Sequence, residues 1–108
     1  MQKENVIRHK YPRKAYKKAI SLMFDGKAAV ARGIDIGEGG MTFQINQKID
    51  HPKKIIVNFF LSDKDFFSLR VSLLNSFKHQ NGYSCGVSFD DVSIALKREI
   101  RAYVARVT

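Results

Sequence analysis

The sequence Met-Thr-Phe-Gln-Ile-Asn at residues 41–46 alternates apolar with polar side chains. A period of two is typical of a β-strand that buries one face and exposes the other. The same alternation is found in five further segments, at residues 20–24, 30–36, 55–61, 67–73 and 83–89. The chain is therefore predicted to form six strands, with Phe59, Phe67 and Phe89 on inward faces.

Short turn sequences separate these strands, among them Asp25-Gly26, Gly39-Gly40 and Asn81-Gly82. Pairs of this kind favour tight hairpins, which join antiparallel neighbours. The expected sheet is therefore antiparallel throughout.

The apolar spacing changes after Asp91. Val92, Leu96, Ile100, Tyr103, Val104 and Val107 recur at the spacing of a helix, and basic residues occupy the opposite face. Asp90, Asp91 and Ser93 are candidate N-caps. The sequence thus predicts a mainly β fold, a six-stranded antiparallel β-barrel with a C-terminal α-helix that covers it.

Length and composition exclude several classes of protein. The chain has 108 residues, the size of one domain, and Cys85 is its single cysteine, so neither an intrachain disulfide nor a cysteine-based zinc site is expected. The sequence has no run of 18 apolar residues, and its first 14 residues lack the apolar stretch of a secretory signal, so we expect a cytoplasmic protein without a membrane span. The common hydrolase, metalloprotease and nucleotide-hydrolysing motifs do not occur, which predicts no catalytic or metal-binding residues and no enzyme activity. Cys85 is interpreted as a core residue.

Positive charge is concentrated at the N-terminus. The chain has 19 Lys and Arg against 10 Asp and Glu, and residues 1–18 hold seven of the cations but one acid, Glu4. This excess predicts an anionic partner. We divide the chain into a basic N-terminal segment, residues 1–14, and a barrel with its helix, residues 15–108.

Two segments contain residues that architecture alone does not require. Arg8-His9-Lys10-Tyr11-Pro12-Arg13 clusters basic groups around a proline, and Asp35-Ile36-Gly37-Glu38-Gly39-Gly40 is a turn with three glycines. Glycines let a backbone approach a ligand closely, and a carboxylate accepts hydrogen bonds from a base or an amide.

In this order the two segments resemble the PilZ family of bacterial receptors for cyclic di-GMP. The family carries an RxxxR segment before the first strand, a D/N-x-S-x-x-G turn between the second and third strands, and a final strand ending like Gly86-Val87-Ser88-Phe89 before a helix. The resemblance implies a ligand, cyclic di-GMP, with no separate cofactor, and a protein partner that responds to binding. It assigns the ligand site to Arg8, His9, Lys10, Arg13, Asp35, Gly37 and Gly40.

The chain departs from the family pattern at two positions, with His9 where Arg is usual and Gly37 where Ser is usual. Restoring Arg and Ser is expected to tighten binding. The departures support a second interpretation, an interaction adaptor that binds no nucleotide. A third, a barrel that binds single-stranded nucleic acid, is disfavoured because only Tyr11 and Tyr16 are expected near the basic residues as stacking platforms.

Overall fold

The computed structural model describes residues 12–50 and 54–106. The elements in chain order are β1 (Arg13–Ala15), β2 (Ala19–Phe24), β3 (Lys27–Gly37), β4 (Gly40–Ile45), β5 (Ile55–Phe60), β6 (Phe66–His79), β7 (Gly82–Phe89) and α1 (Ile94–Ala105). Every strand pair is antiparallel. The mainly β prediction with a C-terminal helix is confirmed.

Six of the strands close into a barrel. The sheet runs β3-β2-β5-β6-β7-β4, and β4 pairs again with β3. This arrangement confirms the predicted six-stranded barrel.

Strand β1 is an additional element that the periodicity did not predict, because its three residues, RKA, are too short to show alternation. It pairs with residues 35–37 of β3, on the same edge of β3 where β2 pairs with residues 27–32. Its bounds cross the division that we placed between residues 14 and 15.

The barrel interior is filled by apolar side chains from all six barrel strands, with Phe43, Phe59 and Leu22 among the largest. Tyr16, which we expected near the basic residues, lies with its ring centroid 5.9 Å from Lys18 Nζ, but it is 1% exposed and so cannot stack on a base. Its ring meets Phe59 edge to face at 5.9 Å, and its hydroxyl donates to the Phe60 carbonyl oxygen at 2.5 Å. Aromatic burial thus removes one of the two proposed stacking platforms.

Strand β3 does not keep a constant phase. The pairing with β4 shifts between Gly33 and Asp35, so Ala31 and Ile36 both face the core, whereas Val30 is 72% exposed. The expectation that Val30 lies inside is therefore wrong. A β-bulge reverses the side-chain alternation, and a sequence period cannot show it.

Strand β6 continues to His79, six residues beyond the predicted end. Its pairing with β7 shifts between Leu73 and Asn75, so the alternation that ended the prediction at Leu73 ends at a bulge and not at the end of the strand.

Helix α1 covers the barrel with Leu96 and Ile100, which are buried against the core. Ser93 is the N-cap, and its hydroxyl accepts from the Leu96 N–H at 3.1 Å. The Ser93 candidate was correct because its side-chain oxygen satisfies an N–H that the first helical turn leaves unpaired.

A candidate ligand site at Arg13 and Asp35

Four of the seven predicted site residues meet at one place on the outer barrel surface. Strand register aligns Arg13 with Gly37, and Gly37 in turn with Gly40 across the two-residue turn Glu38-Gly39. Asp35 lies two residues before Gly37 on β3. The other three predicted residues, Arg8, His9 and Lys10, lie outside the described part of the chain.

The Arg13 guanidinium is held against this turn. Its Nη1 donates to the Gly40 carbonyl oxygen at 2.5 Å, and its Nε lies 3.6 Å from Oδ1 of Asp35. The two side chains are 17% and 30% exposed. Arg13 and Asp35 are thus an ion pair that is partly shielded from water.

The ion pair leaves hydrogen-bonding capacity unused. Nε of Arg13 and Oδ1 of Asp35 are both buried, and neither has a hydrogen-bond partner within the described residues. Buried polar atoms without partners are rare, and each costs about 1–3 kcal/mol. Burial also lowers the pKa of the Arg13 guanidinium, and the Asp35 carboxylate opposes that change in part.

The two site glycines are needed for protein packing. A Cβ at Gly37 would lie 2.7 Å from Cδ of Arg13 and from the Pro12 carbonyl oxygen. At Gly40 it would meet the carbonyl oxygen of Val87 on β7. These glycines were expected to let the backbone approach a ligand, whereas the atoms that approach them in the structure belong to Pro12, Arg13 and Val87 of the chain itself.

Chemically, the site combines a donor fork with an acceptor. Arg13 has five N–H donors in one plane, and one of the two on Nη1 is bonded to the Gly40 carbonyl oxygen. Asp35 provides carboxylate oxygens as acceptors. A planar group with acceptors and donors on adjacent edges fits this pair.

A groove of about 150 Å³ begins at Arg13 and runs across the outer faces of β4, β7 and β6. Thr42, Gly86 and Asn75 lie in register across it, with Leu74 and Phe77 at the side. The predicted strands included Thr42 and Gly86 but gave them no role, and the predicted β6 ended before Leu74, Asn75 and Phe77 because the pairing shifts at a bulge between Leu73 and Asn75. A larger cavity of about 560 Å³ shares Leu74 and Asn75 with the groove and extends away from Arg13.

Both elements of the site also contact helix α1. Lys14, next to Arg13, donates through Nζ to the Arg106 carbonyl oxygen at 2.8 Å, just past the helix end. Glu38, inside the turn, accepts two hydrogen bonds from Arg101 at 2.9 and 3.0 Å, which lower the pKa of the Glu38 carboxyl.

The remaining sequence predictions concern catalytic and metal chemistry. Cys85 is fully buried on β7, and burial raises the pKa of its thiol, as expected for a core residue. In residues 12–50 and 54–106 we find no group of three metal-ligating side chains. None of the helical residues described here forms a segment long and apolar enough to cross a membrane.

Together the fold and the site define a small antiparallel barrel with an Arg–Asp pair at a glycine-rich turn and one terminal helix. The chain belongs to the PilZ domain family, whose model matches residues 7–106. The family resemblance read from the sequence is thereby confirmed. Comparison with curated protein sequences finds no match.

Solved structures share this fold. The chain is similar to Bacillus subtilis inhibitor of motility, MotI/DgrA, with a TM-score of 0.76 and 8% identity over 92% of this chain and 50% of that one. It is similar to Escherichia coli YcgR in complex with c-di-GMP, with a TM-score of 0.72 and 19% identity over 92% of this chain and 45% of that one. The separate PilZ domain of YcgR with c-di-GMP gives a TM-score of 0.65 and 17% identity over 91% and 89%. The chain thus spans about half the length of the first two proteins, and the likeness establishes the fold.

Proposed function

We propose that this chain is a cytoplasmic receptor for cyclic di-GMP that binds its ligand without chemical change. The observation that carries the proposal is the Arg13–Asp35 pair, whose facing Nε and Oδ1 atoms are buried, 3.6 Å apart and without hydrogen-bond partners in the described residues. Related barrels solved with c-di-GMP support the choice of ligand.

Guanine matches the chemistry of this pair. Its O6 and N7 are acceptors for an arginine fork, and its N1–H and N2–H groups are donors for a carboxylate. Two phosphates in the same ligand match the net charge of +9. In this proposal Arg13 binds a phosphate or the guanine acceptor edge, and Asp35 accepts from the guanine donors.

The basic segment supplies further ligand contacts in this proposal. Arg8, His9 and Lys10 precede Arg13 closely in sequence, so a ligand held at Arg13 lies within their reach. Neutralisation of their mutual repulsion by the ligand phosphates is expected to order the part of the basic segment that precedes β1.

Helix α1 is the element through which binding reaches a protein partner in this proposal. Lys14 is next to Arg13, and Glu38 lies three residues after Asp35 in the turn. Each bonds to the helix region, so a ligand that moves β1 or the turn also changes these contacts. The exposed helix side chains Lys97 and Arg98 then offer a surface that depends on ligand.

Isothermal titration calorimetry at moderate salt tests the receptor proposal. The chain is titrated with cyclic di-GMP, with GTP and with a short single-stranded oligonucleotide. Saturable heat with cyclic di-GMP alone is the expected result. Absence of heat in every titration would refute the receptor and favour the adaptor interpretation, which the missing hydroxyl at Gly37 supports.

Hydrogen exchange with and without cyclic di-GMP tests the ordering step. Protection is expected to rise in residues 6–14 and 35–40, with little change in residues 54–77. Uniform protection over the barrel, or no change in residues 6–14, would refute ordering even where calorimetry shows binding.

A further inference from the structure

Asn75 on β6 is an outward-facing polar residue with a fixed orientation. Its Oδ1 accepts a hydrogen bond from the Gly86 backbone N–H at 3.1 Å. A Cβ at Gly86 would lie 2.9 Å from that oxygen. The Asn75 carboxamide therefore packs over the Gly86 backbone, in the space that a side chain at Gly86 would fill. Because the Gly86 donor requires the oxygen, the carboxamide atom left for another partner is Nδ2, with two N–H donors.

Strand register places Asn75 in one line with the site. Asp35 pairs with Thr42, Thr42 with Gly86, and Gly86 with Asn75. Neighbouring strands are about 4.8 Å apart, so Asp35 and Asn75 stand about 14 Å from each other across the outer surface. A ligand with two bases can bridge that span, whereas a single base at Asp35 cannot reach Asn75.

Apolar side chains line the groove beside Asn75. Leu74 and Phe77 are 63% and 59% exposed, and both line the groove that begins at Arg13. Exposed apolar groups beside a fixed polar group are typical of a ligand groove. Phe77 offers a ring on which a base can stack.

We propose that this groove holds the second base of the ligand and that Asn75 selects guanine there by donating from Nδ2 to O6. The proposal rests on the proposed cyclic di-GMP function and adds residues outside the two sequence motifs. Adenine carries a donor amino group where guanine has O6, so the same Asn75 donor would face another donor and disfavour adenine.

The test compares cyclic di-GMP with the hybrid cyclic GMP–AMP, which keeps one guanine for Arg13 and Asp35 but brings adenine to the groove. Calorimetry is expected to show that the parent protein prefers cyclic di-GMP by about 10-fold or more. Asn75→Asp keeps an oxygen for the Gly86 N–H but replaces the donor by an acceptor. This variant is expected to lose the preference or to reverse it.

Asn58→Asp is the matched control, because it makes the same chemical change on the outer face of β5, away from the groove. It is expected to keep the parent preference. Phe77→Ala is the second variant, and its exposure means that folding does not depend on the ring. It is expected to weaken cyclic di-GMP binding by about 5- to 150-fold, the range that base–aromatic stacking supplies.

The outcomes separate the two proposals. A parent that binds cyclic di-GMP but shows no preference over the hybrid, or a preference that Asn75→Asp leaves unchanged, overturns the Asn75 assignment alone. Unchanged affinity in folded Phe77→Ala overturns the stacking role and with it the groove. A parent that binds neither ligand overturns the receptor function together with this inference.

Discussion

Removal of the Arg13 side chain is the sharpest test of the site. In Arg13→Ala the charge-assisted bond to the Gly40 carbonyl oxygen is lost, and Asp35 keeps a partly buried carboxylate without its neighbouring cation. A truncated partner in a desolvated charged contact typically costs about 2–5 kcal/mol of binding. The dissociation constant for cyclic di-GMP is therefore expected to rise by roughly 30- to 5,000-fold.

Two further variants are the controls for this measurement. Arg98→Ala removes an exposed arginine from the solvent face of α1 and is expected to bind like the parent. Arg13→Lys keeps the charge but not the planar fork, so an intermediate loss is expected. Calorimetry gives the affinities, and circular dichroism shows that each variant is folded. Parent-like affinity in folded Arg13→Ala would refute the assignment of Arg13 to the ligand site.

Three further predictions concern single positions. Gly37→Ser is expected to destabilise the protein by about 1–3 kcal/mol, because its Cβ displaces Arg13 or the Pro12 carbonyl, and an unchanged thermal midpoint would contradict this. His9→Arg is expected to tighten cyclic di-GMP binding by about 10-fold or more in calorimetry, as a second charged fork should. No gain would show either that Arg8 already fills this role or that the site is not used. Burial raises the pKa of Tyr16 from 10.0 to about 12, so the folded state favours the neutral phenol. The contribution of Tyr16 to the free energy of unfolding is therefore full below pH 10 and falls by about 2.7 kcal/mol as the pH rises through 12. Tyr16→Phe should lose this part of the alkaline dependence, and denaturant unfolding at pH 9 to 12 measures it.

The sequence predicted the barrel well because its buried faces alternate strictly. Ile20, Met41, Val57 and Val87 all face the core as the period-two pattern indicated. The errors occur where the backbone departs from a regular strand. At the bulge in β3 the phase reverses and Val30 turns outward, although its side chain is as apolar as that of a core residue.

Residues of the candidate ligand site could be predicted only where they match a family motif. Arg13 and Asp35 are 22 positions apart in sequence, and nothing in the local pattern shows that β1 pairs with the end of β3. Asn75 has no sequence signal, because its position depends on a bulge in β6 and on the missing side chain of Gly86. Pairing across strands, and not composition, brings these groups together.

The geometry also separates the two departures from the family pattern. At Gly37 the missing hydroxyl removes one neutral hydrogen bond, worth about 0.5–1.5 kcal/mol, but the space it leaves is occupied by Arg13. That position allows the charged bond from Arg13 to the Gly40 carbonyl oxygen, and bonds to charged groups contribute about 1.5–3 kcal/mol. A Cβ at Gly37 would displace Arg13 from this position, so we expect that restoring Ser there weakens the site. A neutral imidazole cannot replace a bidentate guanidinium. In the receptor proposal, affinity for cyclic di-GMP is therefore expected to depend on whether Arg8 replaces the function missing at His9.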